Sequence, residues 1–132
     1  MSIKYESDHE MSGLIALGTT LRCKLPPCHI WIVLSDPART GGRIVIVNFT
    51  TLRENTVDVA CILVPSDYPL LKHPSTVAFS RHRSGVASAL EAAVHRSEFA
   101  VLQPVSPAVL RRILDAARVS PQLPPADMVL LG

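Results

Sequence analysis

The sequence lacks most of the features that mark the easily recognised classes of protein. Its three cysteines are an odd number, which argues against a secreted disulfide framework and favours reduced thiols. No apolar run approaches the roughly 18 residues that a membrane-spanning helix requires. The first ten residues are polar and acidic, whereas a signal peptide begins with basic residues and continues with apolar ones. These absences predict a cytoplasmic protein without a membrane partner.

Glycine motifs and metal-binding spacings are also scarce. The six glycines form no glycine-rich phosphate loop and no dinucleotide fingerprint. A zinc set could be assembled from Cys23, Cys28, His29 and His73. The first two are separated by a stretch that contains two prolines, however, and structural zinc usually has tightly paired ligands. Cys61 lies between apolar residues of a predicted strand, so we interpret it as a buried thiol rather than as a nucleophile. The sequence predicts neither a metal ion nor a cofactor.

What the sequence does contain is enough apolar residues for one folded domain. The chain has 132 residues, of which 48% are hydrophobic and 18% are charged, and this is a globular composition. We divide it into a flexible leader over residues 1–12, a single domain over residues 13–120 and a tail over residues 121–132. The tail is rich in proline and ends in apolar residues, which either dock on the domain or contact a partner.

Positive charge is concentrated in the middle of the chain. From residue 13 onward, basic residues outnumber acidic ones by 12 to 8, and no acidic residue lies between Asp67 and Glu91. A local basic surface suits a polyanion such as nucleic acid, although a solvated loop would have the same composition. The basic or titratable side chains in this interval are Lys72, His73, Arg81, His82 and Arg83.

Apolar runs and their punctuation predict a mainly β protein with helices. Pro26-Pro27 separates the first two strands, and turn residues separate the second from the third. The third strand has an unbroken Ile-Val-Ile-Val core, which predicts a central strand that is buried on both faces. The predicted strands cover residues 14–24, 29–35, 43–50, 57–64, 75–80 and 99–105, and the predicted helices cover residues 84–95 and 106–118.

The order of these elements indicates the fold class. Five predicted strands precede the first helix, which disfavours an alternating βαβ plan. The predicted fold is therefore α+β: a small antiparallel barrel or curled sheet with one helix after the fifth strand and a C-terminal helix. Ser106 should cap the C-terminal helix, because Pro107 follows it at the first turn.

Polar side chains lie at the ends of the predicted strands. His29 opens one apolar run, and Thr50 and Thr51 close the next. An antiparallel hairpin places the start of one strand beside the end of the other, so we expect these side chains to meet at one rim of the sheet. A second polar group precedes the fifth strand, and Arg53 follows the third. The residues of this predicted rim are His29, Thr50, Thr51, Arg53, Lys72, His73 and Ser75.

A set of this kind could cleave RNA without a metal. Imidazoles give and take protons near neutral pH, so His29 and His73 are the predicted proton-transfer pair, with Thr50 and Thr51 orienting the phosphate. Cations and hydroxyls can hold the phosphate oxygens, and an aromatic ring can stack on a base. The alternative is that both histidines only cap strands and that the aromatic ring is core. The predicted substrate-binding residues are Arg53, Lys72, Ser75, Trp31 and Arg81.

At this hairpin the chain resembles the MazF/PemK family of toxin endoribonucleases. The run that begins at His29, His-Ile-Trp-Ile-Val-Leu, stands where the family has a strand of the type Arg-Pro-Ala-Leu-Val-Val. The run that begins at Ile44, Ile-Val-Ile-Val-Asn-Phe-Thr-Thr, stands where it has Val-Ile-Val-Ala-Ala-Ile-Thr-Ser. The similarity is best over residues 18–64, although Gly18-Thr-Thr-Leu replaces the family's usual opening strand.

The resemblance implies a fold, an activity and partners. It implies an SH3-like barrel, metal-independent cleavage of single-stranded RNA, a homodimer and a cognate antitoxin of a toxin–antitoxin system. The family's catalytic arginine and threonine fall on His29 and Thr50, with Thr51 in the serine place. Because a histidine replaces the arginine, the acid and base roles can differ, with His29 as base and His73 as acid. The alternatives are a non-catalytic RNA- or protein-binding barrel and a structural or regulatory component.

Overall fold

The computed structural model describes residues 14–132, so the predicted leader lies outside the described residues. Its strands form one antiparallel, curled half-barrel sheet in the order β4-β5-β3-β2-β1-β6. The strands are β1 (Thr20–Cys23), β2 (Ile30–Val33), β3 (Arg43–Thr51), β4 (Ile62–Leu63), β5 (Ser75–Val86) and β6 (Phe99–Leu102). The helices are α1 (Pro37–Thr40), α2 (Ala87–His95), α3 (Pro107–Val119) and α4 (Pro125–Met128). The predicted α+β class is confirmed, with α2 after the fifth strand and α3 and α4 near the C-terminus.

The central strand β3 divides the core into two layers. Its residues alternate between the faces of the sheet: Val47 and Phe49 pack in the core beneath α3, whereas Ile44 and Ile46 pack in the core beneath α2. The predicted burial of this strand on both faces is confirmed. Because both faces are filled, the polar groups at its ends are held in place by a rigid element.

Two predicted strands are much shorter than expected. The first covers only Thr20–Cys23, because the backbone of Gly18 adopts a left-handed conformation (φ 88°) in a turn that precedes it. The fourth covers only Ile62–Leu63, and Val57 is 89% exposed. Asp58 interrupts the predicted run, since its carboxylate accepts a hydrogen bond from the backbone N–H of Ser80 at 2.8 Å. That contact holds the chain as a loop beside β5.

The fifth strand is longer than the sequence predicts. Its first part pairs with the end of β3 and its second part, up to Val86, pairs with the start of β3. Between them the register shifts, since Asn48 pairs with Ala78 and Ile46 with Arg83. The helix that was expected from residue 84 therefore begins at Ala87, and the extra strand residues lie exposed along the sheet. This bulge matters because it carries basic side chains onto the sheet face.

The other boundaries are closer to prediction. Strand β2 begins and ends within its predicted range, and β6 ends at Leu102 rather than at residue 105. The expected turn before β3 contains the short helix α1, which Asp36 caps by accepting a hydrogen bond from the backbone N–H of Ala38. Ser106 caps α3 as predicted, because its hydroxyl accepts a hydrogen bond from the backbone N–H of Val109 at 3.2 Å.

The C-terminal tail docks on the domain. Leu123 is buried in the core beneath α3, and Leu131 forms an isolated bridge with Ser35 beside β2. His82 of β5 also contacts the tail, with its Nε2 3.3 Å from a carboxylate oxygen of Asp127. The sequence left open whether the tail docks on the domain or contacts a partner, and in the structure it packs on the domain. Among residues 14–132, no helix is long and apolar enough to cross a membrane.

Candidate active site

Two hollows lie side by side at the β1–β2 hairpin. The first, of about 410 Å³, is the polar pocket, defined by Arg22, His29, Thr51, Lys72, His73 and Ser75. The second, of about 840 Å³, is the aromatic groove, defined by Trp31, Asn48, Arg81, Arg83, Leu90 and Phe99. Pro27, Cys28 and His29 line both hollows. A chain molecule that enters one hollow can therefore continue into the other past His29.

The hairpin places His29 at this junction. Cys28 has a left-handed backbone conformation (φ 59°), which turns the chain into β2. The carbonyl of His29 then accepts a hydrogen bond from the backbone N–H of Cys23 at 3.0 Å. Local geometry on both sides of His29 is thus fixed by the strand pairing, while its side chain remains half-buried at the rim.

Strand pairing also brings together the other members of the polar pocket. Thr51 at the end of β3 is the register partner of Ser75 at the start of β5. The backbone N–H of Leu52 donates to the carbonyl of Pro74 at 2.9 Å, and the Ser75 hydroxyl donates to the carbonyl of His73 at 2.9 Å. The segment that carries Lys72 and His73 is therefore tied to the end of the central strand.

Tyr68 anchors this segment from below. Its ring is buried and packs edge-on against Phe49, with 6.3 Å between ring centroids. Its hydroxyl donates to the carbonyl of Gln103 at 2.6 Å. Burial raises the pKa of the Tyr68 hydroxyl, and the positive charge of Arg22 opposes that effect. The phenol therefore stays protonated and keeps its hydrogen bond.

The polar pocket has a positive electrostatic character. Arg22 and Lys72 contribute permanent cations, and His29 and His73 can add charge when protonated. Among the described residues, no carboxylate lines this pocket. Cations without acidic partners attract anionic oxygens, and guanidinium groups in particular suit phosphate.

The aromatic groove is built on the other face of the sheet. Trp31 of β2 and Asn48 of β3 are register partners, so their side chains lie next to each other. The guanidinium of Arg83 lies above the Trp31 ring, 5.8 Å from its centroid. Leu90 of α2 and Phe99 of β6 add apolar walls. A flat ligand with one polar edge would fit these surroundings.

The structure brings together several of the predicted site residues and separates others. His29, Thr51, Lys72, His73 and Ser75 line the polar pocket, whereas Trp31 and Arg81 line the aromatic groove with His29.

Thr50 and Arg53 line neither hollow. The Thr50 hydroxyl donates to Oδ1 of Asn48 at 3.3 Å, and Arg53 is exposed in the loop after β3. The catalytic and binding roles given to the predicted residues stay predictions.

Three residues of the two hollows were missed in the sequence. Arg22 lies within a predicted strand, and nothing in the sequence indicates which face of the sheet it occupies. Arg83 was noted only as one of the basic residues between Asp67 and Glu91. Asn48 offered a clearer signal, because it is the one amide in an otherwise apolar strand that was predicted to be buried on both faces.

The thiols and histidines do not assemble into a metal site. Within residues 14–132, no group of three histidine, cysteine or acidic side chains is placed to hold a metal ion. Cys61 is buried, as the sequence predicted, and burial raises the pKa of its thiol despite the nearby positive charge of Arg112. Its environment is that of an inert core thiol.

A curled antiparallel sheet with this arrangement of helices is the fold of the MazF-type endoribonucleases, and the resemblance that the sequence indicated is confirmed. The chain is similar to an endoribonuclease in complex with its cognate antitoxin from a mycobacterial species. The identity is 25% and the TM-score 0.54, over 83% of this chain and 97% of the other. No protein-family model matches the sequence, and no curated protein matches it either.

Two further solved structures share the fold. One is an endoribonuclease from a mycobacterial species, with 23% identity and a TM-score of 0.53, over 84% of this chain and 94% of that chain. The other is a MazE-MazF crystal structure from Deinococcus radiodurans, with 17% identity and a TM-score of 0.51, over 79% of this chain and 91% of that chain. At these identities the likeness concerns the fold alone.

Proposed function

We propose that the protein is the toxin of a toxin–antitoxin pair and that it cleaves single-stranded RNA without a metal ion. The observation that carries this proposal is the polar pocket, in which two histidines, two hydroxyls and two permanent cations from separate segments face one space. The endoribonucleases of similar fold support the same conclusion.

The proposed reaction is an internal transesterification. His29 accepts the proton of a ribose 2′-hydroxyl, and the 2′-oxygen forms a bond to the adjacent phosphorus. The bond from phosphorus to the 5′-oxygen of the next nucleotide then breaks, and His73 supplies a proton to that oxygen. The products are a 2′,3′-cyclic phosphate and a 5′-hydroxyl. The proton that His29 accepts is balanced by the proton that His73 supplies.

The other members of the polar pocket stabilise the reacting phosphate. Negative charge increases on its oxygens as the fifth bond forms, and Arg22 and Lys72 can neutralise that charge. The Thr51 hydroxyl can donate to the same oxygens, whereas the Ser75 hydroxyl would first have to release the carbonyl of His73. Since the pairing of β3 with β5 fixes the backbone of Thr51 at this rim, its hydroxyl needs little rearrangement during the reaction.

The aromatic groove would bind the nucleotides beside the cleaved bond. The guanidinium of Arg83, which lies over the Trp31 ring, offers a flat surface for base stacking, and Arg81 can contact the RNA backbone. Single-stranded RNA suits this arrangement because its bases are free to leave a stack and enter the groove. His29 borders both hollows, so a phosphate in the polar pocket has an adjacent base in the groove.

Two protein partners belong to the proposal. We infer a cognate antitoxin, because the similar mycobacterial endoribonuclease is in complex with one and the Deinococcus structure contains MazE with MazF. We also infer a homodimer, as the family resemblance implies. Light scattering of the purified protein, alone and with a candidate antitoxin, measures both associations.

The test is cleavage of a single-stranded oligoribonucleotide in excess EDTA. We expect cleavage by the wild type and a loss of about 10²- to 10⁴-fold in rate for His29→Ala and for His73→Ala. The matched control is His95→Ala, because His95 is an exposed histidine of α2 that lines neither hollow. This control should cleave at the wild-type rate.

Other results would point elsewhere. Salt-sensitive RNA binding without cleavage would replace the enzyme with the non-catalytic binding barrel. Cleavage that persists in both histidine variants would remove the assigned chemistry from the polar pocket. Absence of any RNA affinity would favour a structural or regulatory role.

A further inference from the structure

Asn48 is a polar residue in an otherwise apolar part of the central strand. It is only 2% exposed, and its strand neighbours Val47 and Phe49 are buried core residues. Burial of an amide without hydrogen bonds is costly, so each polar atom of Asn48 should have a hydrogen-bond partner or contact with solvent. Its Oδ1 has a partner, because it accepts a hydrogen bond from the Thr50 hydroxyl at 3.3 Å.

The amide nitrogen of Asn48 has no such partner. Within residues 14–132, no group accepts a hydrogen bond from its Nδ2, although the residue lines the aromatic groove. In the same part of the chain, every side-chain nitrogen or oxygen that is completely buried has a hydrogen-bond partner. The amide nitrogen therefore keeps slight contact with solvent, and because Asn48 lines the aromatic groove, we infer that this contact is in the groove.

The surroundings of this donor indicate the shape of the ligand. Asn48 is the register partner of Trp31, whose ring lies beneath the guanidinium of Arg83. A planar ring that stacks against the indole or the guanidinium would therefore bring one edge towards the Asn48 amide. Nucleobases are ligands of this kind, with a flat apolar face and a hydrogen-bonding edge.

We propose that Asn48 is the residue that selects the base bound in the aromatic groove, and that it favours a base with a keto oxygen. The inference rests on the proposed action on RNA. Uracil and guanine carry a carbonyl oxygen at the position where cytosine and adenine carry an amino group. The free amide N–H of Asn48 donates to that oxygen. An amino group at the same position is itself a donor and would not accept this hydrogen bond.

Thr50 has a positioning role in this assignment. Because its hydroxyl donates to Oδ1, the amide of Asn48 is held with its nitrogen towards the groove. Loss of that hydroxyl, for example in Thr50→Val, would free the amide to rotate. Discrimination between bases should then weaken, while stacking on Trp31 should persist.

The test uses Trp31 as the probe, because it is the single tryptophan of the chain and lies in the groove. Tryptophan fluorescence is followed while the full-length protein is titrated separately with UMP, GMP, CMP and AMP. We expect UMP and GMP to bind about fivefold more tightly than CMP and AMP, as one hydrogen bond would give.

Two variants of Asn48 isolate the amide. Asn48→Asp has nearly the same shape, and its carboxylate offers only acceptors once it is ionised, so at alkaline pH the preference should reverse towards CMP and AMP. Asn48→Ala should bind all four nucleotides with similar affinity. Asn55→Asp is the matched control, because Asn55 is an exposed amide in the loop after β3. This control should keep the wild-type preference.

The outcomes separate this inference from the proposed cleavage. Equal affinity of the wild type for all four nucleotides, or an unchanged preference in Asn48→Asp, would overturn the assignment of Asn48 even if RNA is cleaved. Conversely, an Asn48-dependent preference for UMP and GMP in a protein that leaves RNA intact would overturn the cleavage and retain the binding site. If the Asn48 variants fail to fold, the preference of the wild type and its weakening in Thr50→Val still decide the question.

Discussion

The guanidinium of Arg83 lies 5.8 Å from the centroid of the Trp31 ring. The two residues are far apart in sequence, and the bulge in β5 brings them together on one face of the sheet. Trp31 is 8% exposed, because its ring packs in the core beneath α2 and the Arg83 guanidinium lies over it on the groove side. This pair links the packing of the sheet to the binding surface of the aromatic groove.

Removal of the cation should uncover the ring. In Arg83→Ala we expect the fluorescence emission of Trp31 to shift to longer wavelength and the protein to lose about 0.5–1 kcal/mol of stability. Arg81→Ala is the control, because Arg81 also lines the groove but makes no such contact with the ring. Identical emission spectra for the two variants would show that Arg83 does not shield Trp31 in solution.

The Tyr68 hydroxyl should contribute to stability through its hydrogen bond. Tyr68→Phe keeps the ring against Phe49 but leaves the carbonyl of Gln103 without its donor. We expect a loss of about 1 kcal/mol in the free energy of unfolding, measured by urea denaturation. Because Tyr68 precedes the segment with Lys72 and His73, the RNA cleavage rate should also fall. Unchanged stability would mean that water replaces the hydroxyl without loss.

The ion pair between Arg112 and Asp67 should stabilise the protein in a pH-dependent way. Arg112 donates from Nη1 to Asp67 and from Nη2 to the carbonyl of Ile62, each at 2.9 Å, and so joins α3 to β4. A hydrogen bond from the backbone N–H of Val64, followed by the effect of Arg112, lowers the pKa of the Asp67 carboxyl. Its stabilising contribution is therefore complete above the unfolded-state pKa and is lost as the pH falls through the folded-state value.

Thermal melts across the acidic range measure this effect. Arg112→Met should melt at a lower temperature than the wild type at pH 7, and the difference should narrow as the pH falls and Asp67 becomes protonated. Arg118→Met is the control, because Arg118 belongs to the same helix and, within residues 14–132, forms an ion pair with exposed Asp115 alone. A difference that is constant with pH would assign the loss to packing or to the Ile62 contact instead.

Glu91 should have the opposite pH dependence. This residue of α2 is 7% exposed, and burial raises the pKa of its carboxyl, against the opposing effects of the Ile15 backbone N–H and of His95. Since the folded-state pKa lies above the unfolded-state value, the protonated form is the one that the fold favours. The contribution is complete below the unfolded-state pKa and is lost as the pH rises through the folded-state value.

The variant Glu91→Gln removes this ionisation. It should raise the melting temperature at pH 7 and have little effect at pH 4, where the wild-type carboxyl is already protonated. Glu54→Gln, at an exposed loop position, should leave the melting temperature unchanged at both values. Destabilisation by Glu91→Gln at pH 7 would indicate that the carboxylate has a partner that it needs in its ionised form.

The features that could be predicted from the sequence are those set by local pattern. The β-branched residues of β3 indicate a buried central strand, and the reversal of a hairpin places His29 near the end of that strand. These relations depend on the spacing of apolar residues and on the direction of consecutive strands, both of which can be read from a sequence. The docking of Ser75 beside Thr51 has no such local signal, because β5 pairs with β3 and not only with the strand that precedes it.

The features that could not be predicted depend on distant partners. Val57 and Val59 lie in a run that is typical of a strand, but Asp58 bonds to the backbone of Ser80, and this contact keeps the run in a loop. The polar end of β5 is a strand only because β3 pairs with it. The position of Arg83 over Trp31 follows from the resulting bulge and has no local signal.

The most direct test of the proposed function is the chemical identity of the RNA ends after cleavage. An oligoribonucleotide is incubated with the wild-type protein in EDTA, and the fragments are analysed by mass spectrometry. A parallel substrate carries a 2′-deoxyribose at the cleaved position. We expect a 2′,3′-cyclic phosphate and a 5′-hydroxyl from the first substrate and no cleavage of the second. Fragments with a 5′-phosphate and a 3′-hydroxyl, or cleavage that continues without the 2′-hydroxyl, would contradict the role of the polar pocket.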